Sequence, residues 1–198
     1  MNLKEEIKKI NKLEGKTKGI EIKNNFKCIE SLEGKKARKK VEKKLDDLGV
    51  LPDYKNYKDF NWYSVKKDVI TLLVAKEVLG WKGEELKEHG RCLVKLSFLQ
   101  KIFVKYFVSL EKMLSGIKKI WKRYFNFGEI ELKEINKKEK MVRIQIKDFD
   151  LHPIYCKVVL GYFEKSLAFV LDTKEIEGME TKCTFRGDKL HEFIVKYE

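Results

Sequence analysis

The chain has 198 residues, of which 43% are hydrophobic and 38% charged, with a formal net charge of +13. That content supports one good core, or one core with a small appended subdomain. No apolar run reaches the roughly 18 residues of a membrane helix, and the charged start "MNLKEEIKKINKLEGK" lacks the apolar centre of a signal peptide. The expectation is therefore a cytoplasmic protein with no membrane partner.

A basic balance suits phosphate neutralisation. Here the lysines are interleaved with acids, as in "KKARKKVEKKLDD" and "KEINKKEK", and Arg is scarce beside Lys. Nucleic acid is accordingly not the expected partner. Lys and Glu enrichment with only Gln100 and Gln145 as glutamines fits a heat-adapted, thermophile-like protein.

In chain order, Leu3, Ile7, Ile10 and Leu13 predict a short amphipathic helix. "GIEIKNNFKCIESLEG" reads as an extended segment and a turn. "KKARKKVEKKLDDLGV" reads as a helix closed by Gly49, and "VLPDYKNYKDFNWYSV" as an aromatic loop. Ser64 is the expected N-cap of a helix near 64–80, ended by Gly80. Residues 84–90 predict another short helix, and "RCLVKLSFLQKIFVKYFVSLEKMLSGIKKIWKRYF" two more, divided near Ser109 or Ser115–Gly116.

From Phe127 the period falls to two. Ile130, Leu132 and Ile135, then Val142, Ile144 and Ile146, predict a β-hairpin. Pro153 opens a helix, "PIYCKVVLGYFEKSLAFVLD". Two strands follow, "EIEGMETKCTFR" and "HEFIVKY". The fold class is α+β: N-terminal helices packed on an antiparallel sheet, with a C-terminal β-β-α-β-β order.

Of the four cysteines, Cys28 and Cys92 stand among apolar neighbours and read most simply as core residues. A cytoplasmic chain makes disulfides uncommon, with hyperthermophile proteins the exception. Cys156 has potential ligands around it. Glu180 lies three residues before Cys183, and Cys183 and His191 flank a turn at Gly187–Asp188. The helix carrying Cys156 must pack on the same sheet. Cys156, Glu180, Cys183 and His191 thus form a four-donor set suited to zinc in a closed, structural site. His152, four residues before Cys156, is a rival ligand. The opposing reading leaves Cys156 and Cys183 as packing residues, with Glu180 and His191 in solvent.

The stretch "IYCKVVLGYFEKSLAFVLDTKEIEGMETKCTFRGDKLHEF" resembles the C-terminal half of the 4-vinyl reductase domain family. Cys156, Gly161-Tyr162, Glu180, Cys183, Gly187 and Phe193 occupy that family's motif positions, and His191 stands where its last cysteine usually falls. "NWYSVKKDVITLLVAKEVLG", "HGRC" and "IWKRYFNFGEIEL" resemble the same family upstream. The resemblance covers residues 55–198 and leaves 1–54 as an N-terminal helical or extended segment of one compact unit. It implies a fold shared with haem nitric-oxide-binding domains and vesicle-trafficking subunits, an apolar ligand chamber, zinc beside it, and a homodimer.

No phosphate-binding glycine loop, G-x-S-x-G or H-E-x-x-H occurs, and no catalytic residue is assigned. Aromatic residues are abundant on the helices. Phe103, Phe107, Trp121, Tyr124 and Tyr162 are the candidate ligand-binding residues. The expected function is a sensor-like domain binding a small hydrophobic or aromatic molecule, with structural zinc as its cofactor. The runner-up readings are a reductase or enzyme accessory acting on a vinyl-tetrapyrrole with a separate electron donor, and a basic nucleic-acid-binding protein.

Overall fold

A computed structural model describes residues 2–96, 110–171, 173 and 175–198. Helix α1, Leu3–Ile10, buries Ile7 and Ile10, and its N-cap Asn2 accepts a hydrogen bond from the Lys4 amide. Strand β1, Lys16–Lys18, pairs antiparallel with β2, Trp62–Ser64.

Between them, α2 runs Gly19–Asp47 with a break at Gly34, whose φ of +85° suits glycine. The segment expected to be extended is thus the first half of a helix. Ile22, Phe26 and Ile29 all lie inside the core at spacings of four and three, and this helical period overrides the local Glu-Ile-Lys alternation. Gly34 does supply the expected turn. Helix α3, Val65–Leu79, follows directly and ends on Gly80 in the left-handed conformation. Ser64 holds the N-cap position but makes no side-chain capping bond.

Helix α4, Gly83–Leu96, absorbs the short helix expected at 84–90 and continues through "RCLVKL". Helix α5 is Leu110–Tyr124. The helix runs unbroken through Ser115–Gly116, so no division falls there, and the alternative near Ser109, together with Phe103 and Phe107, lies outside the described residues.

The hairpin forms as its alternation predicts, from β3, Glu129–Asn136, and β4, Met141–Lys147. Ile130 faces Ile146, Leu132 faces Ile144, and Ile135 faces Val142. An odd-numbered residue joins the even ones because a bulge between Leu132 and Glu134 resets the pleat. Helix α6, Ile154–Leu171, then leads to β5, Ile176–Lys182, and β6, His191–Tyr197. The sheet is antiparallel throughout, in the order β3-β4-β6-β5. This is the expected α+β architecture.

Helix α6 is buried around most of its circumference, as a helix covered on two sides must be. One side packs on α4 and the other on the sheet. The α4 crossing depends on two glycines. A Cβ at Gly90 would collide with the Val158 carbonyl, and one at Gly161 with the Lys87 carbonyl. Beside the crossing sits Glu164, 4% exposed. It accepts bonds from Arg91 at 2.6 Å, Lys87 at 2.9 Å and the Gly178 amide at 3.0 Å. One carboxylate therefore links α4, α6 and β5.

Cys28 and Cys92 are not separate core residues. They form a disulfide with a Cα–Cα distance of 5.8 Å, joining α2 to α4.

Candidate functional site: an apolar chamber and a four-donor corner

The chamber lies among α2–α6 and the sheet and encloses about 110 Å³. Trp121, Phe149 and Val159 form part of its apolar wall. Its aromatic side is built by contact: Trp121 packs against Phe125 at 4.8 Å and edge-on to Phe149 at 5.2 Å, and its indole N–H donates to the Phe127 carbonyl at 3.0 Å. Of the expected ligand residues, Trp121, Tyr124 and Tyr162 line this space.

One end of the chamber is polar, and its members escaped the sequence reading. Glu21 comes from the first turn of α2, Asn25 from the next, and Asp68 from α3; all three line the space. Asp68 accepts bonds from the Asn25 amide and the Tyr155 hydroxyl. Asn25 Oδ1 in turn faces His89 Nε2 at 2.8 Å. Burial pushes His89 down to about 3, so the ring is neutral and Nε2–H donates to Asn25. Burial pushes Asp68 up to about 6. It also pushes Glu21 up to about 8, with the neighbouring Asp68 charge adding to the effect.

Glu21 is only half-buried by solvent accessibility, although it is fully surrounded by protein atoms. Its remaining surface is explained by the cavity it lines. Strand β1 holds this end together: Thr17 Oγ1 donates to the Tyr124 carbonyl at 3.2 Å, and Lys16 N donates to Asn126 Oδ1 at 2.6 Å. Asp68 carried one sequence signal, an acid among Val65, Val69 and Leu72 on an apolar helix. Glu21 carried none once its segment was read as extended.

The second cluster lies at the β5–β6 end of α6. Cys156 Sγ is 3.6 Å from Cys183 Sγ and 3.9 Å from His191 Nδ1. His191 Nδ1 is 3.3 Å from Glu180 Oε1. All four donor atoms lie within 4.8 Å of one another, a spacing that can hold a metal ion. The bulge between Glu180 and Lys182, and the turn through Gly187 at φ +93°, bring them together. His152 does not join. Its Nε2 faces Glu6 at 3.3 Å, and its Nδ1 accepts from the Ile154 amide. Burial, reinforced by the Glu180 charge, raises the Cys156 thiol far above its ordinary range.

No protein-family model matches the chain, and no curated protein matches it. Solved structures do. An H-NOX protein from S. oneidensis in the Fe(II)NO ligation state superposes with a TM-score of 0.68 at 15% identity, covering 91% of this chain and 99% of that one. A structure described for haem redox potential and porphyrin distortion gives 0.63 at 18% identity, over 91% and 99% of the two chains. An oxygen-binding H-NOX domain related to soluble guanylate cyclases, in its oxygen complex, gives 0.62 at 17% identity, over 91% and 95%. The expected kinship of fold with haem nitric-oxide-binding domains is borne out. The closer resemblance to the 4-vinyl reductase family has no family match behind it.

These comparisons also overturn structural zinc as the cofactor, because the group named among the matching structures is haem with its iron. The corner gives a physical reason as well, since its donors already have partners. Glu180 takes Arg186 at 3.3 Å as well as His191, and His191 Nε2 meets Thr184 Oγ1 at 3.0 Å.

Haem does not fit the described lining. Among the described side chains, no His, Cys or Met lines the chamber. The three histidines of the chain are all engaged elsewhere, with Asn25, Glu6 and the corner. Phenolate ligation by Tyr124 is opposed by burial, which raises its pKa. The cavity volume is also far below the roughly 300–1,000 Å³ of ordinary ligand sites.

Proposed function

We propose that this chain is a small-molecule-binding, sensor-like domain that takes a small hydrophobic or aromatic molecule in the chamber between its helices and sheet. The observation that carries this reading is the chamber itself, an aromatic-walled cavity of about 110 Å³ reached by side chains of five helices. A cavity of ~150 Å³ with an apolar lining holds benzene, so the fitting ligand is of single-ring size. A tetrapyrrole is several times larger, which weighs against the reductase reading.

The four-donor corner belongs to this proposal as a clamp. It pins the β5–β6 connection to α6 through thiol, imidazole and carboxylate contacts, and the same helix then forms the chamber wall.

Toluene is the direct probe. Titration calorimetry or indole N–H chemical shifts should show saturable binding, with the Trp121 resonance responding. Val159→Phe places a ring in the chamber and should abolish the binding while the protein stays folded by circular dichroism. Unaltered toluene binding by that variant would place the site elsewhere.

A further inference from the structure

The chamber is apolar along most of its wall, yet one end concentrates unbalanced polar groups. Glu21 makes no hydrogen bond or ion pair among the described residues and faces the cavity. Asp68, 4% exposed, is held by two neutral donors, Asn25 and Tyr155. Tyr124 is 3% exposed, lines the same space, and its hydroxyl has no partner. Glu21 acts electrostatically on both Tyr124 and Tyr155, which places the four groups in one neighbourhood.

Among the described residues, no cation pairs with either acid. His89 on α4 is neutral and engaged with Asn25. Arg123 on α5 is solvent-exposed and acts on Tyr124 but on neither acid. Ionising both acids together in an apolar cavity is costly without a counter-ion, and a cationic ligand favours their ionised forms. An unsatisfied hydroxyl beside it adds to that cost. A bound ligand carrying its own positive charge would remove both deficits at once.

The geometry points to a small amphiphilic amine as the ligand class: an apolar or aromatic body against Trp121, Phe149 and Val159, and an ammonium head on Glu21, Asp68 and the Tyr124 hydroxyl. This rests on the chamber being a ligand site and adds the polarity and orientation of what it takes. An ammonium supplies three donors, which matches two carboxyl groups and one phenolic oxygen. The half-buried Glu21 is the positioning group free to turn toward the head, because Asp68 is already fixed by its donors.

The test uses the full chain at pH 7.5 with three single-ring probes: benzylamine, benzyl alcohol and toluene. Benzylamine should bind roughly ten- to a hundredfold more tightly than toluene, as a charge-assisted hydrogen bond would give, and should also exceed benzyl alcohol. Glu21→Gln should bring the benzylamine-to-toluene affinity ratio close to one, and parent-like circular dichroism shows that the variant stays folded. Toluene binding with no advantage for benzylamine would overturn the amine assignment and leave the chamber reading standing. Equal affinity for the amine and the alcohol would overturn the ammonium specifically. If none of the three binds, both readings fail.

Discussion

Replacing Glu21 by Gln should change how stability depends on pH, and the size of the change follows from its surroundings. In the folded protein its carboxyl is pushed from 4.5 up to about 8 by burial and by Asp68. A raised acid pKa means that the folded state binds the proton more tightly than the unfolded state. Stability from this group is therefore fully present at low pH and is lost as pH rises from about 4.5 toward 8. Integrated to pH 7, that loss is about 3 kcal/mol. Gln mimics the protonated acid and cannot ionise. In urea unfolding, variant and parent should differ little in their pH-dependent part near pH 4.5. By pH 7 the variant should gain about 3 kcal/mol relative to the parent. Comparing the two proteins cancels the titrating groups that Glu21 does not act on, while Asp68 is coupled to it. A gap that stays constant from pH 4.5 to 8 would refute the burial of Glu21 beside Asp68.

The remaining predictions concern the scaffold. Cys92→Ser, or reduction of the parent, should cost about 4 kcal/mol, the chain-entropy value for a loop of this length, and calorimetry with and without reductant checks it. Gly161→Ala should lower stability by about 1–3 kcal/mol, because the new methyl group meets the Lys87 backbone. On helix propensity alone, the same change in an open helix would raise stability by about 1 kcal/mol, so urea unfolding decides by sign. Glu164→Gln should cost about 3 kcal/mol by leaving Arg91 and Lys87 without their shared carboxylate. Cys183→Ala should accelerate amide exchange in β5 and β6 more than in β3 and β4 if the corner acts as a clamp.

The parts of the fold that were legible carry their pattern locally. The β3–β4 hairpin shows alternating apolar residues on both sides of "NKKEK", and α6 has a proline just ahead of its first turn. The donor corner was legible because Cys, Glu and His are conspicuous residue types, and the strand order made their convergence the simple outcome. Their occupant was not legible, since identical donors can close on one another through hydrogen bonds. The first half of α2 is not legible as a helix because Asn24 and Asn25 interrupt its apolar face. Both are buried, and Asn25 bridges His89 and Asp68, a role visible only in three dimensions. The acid end of the chamber was hidden for a similar reason. Glu21, Asp68 and Tyr124 lie on three separate helices, brought together by the packing of α2 on α3 and by the contacts of β1 with Tyr124 and Phe125. The Cys28–Cys92 bond links residues 64 positions apart, and cysteine pairing over such a distance cannot be deduced from spacing.

That bond also changes what a break in the backbone would do. The chain from Cys28 to Cys92 is a closed covalent ring that contains α3 and the aromatic loop with exposed Phe60. A protease nick at that loop opens the ring without releasing either piece. The amino-terminal fragment stays tethered to the chamber-forming remainder, and Glu21 stays attached to the molecule it faces. On a denaturing gel the nicked protein migrates as one species until a reductant is added, then as two. Surface damage at this exposed loop is thereby separated from loss of the site.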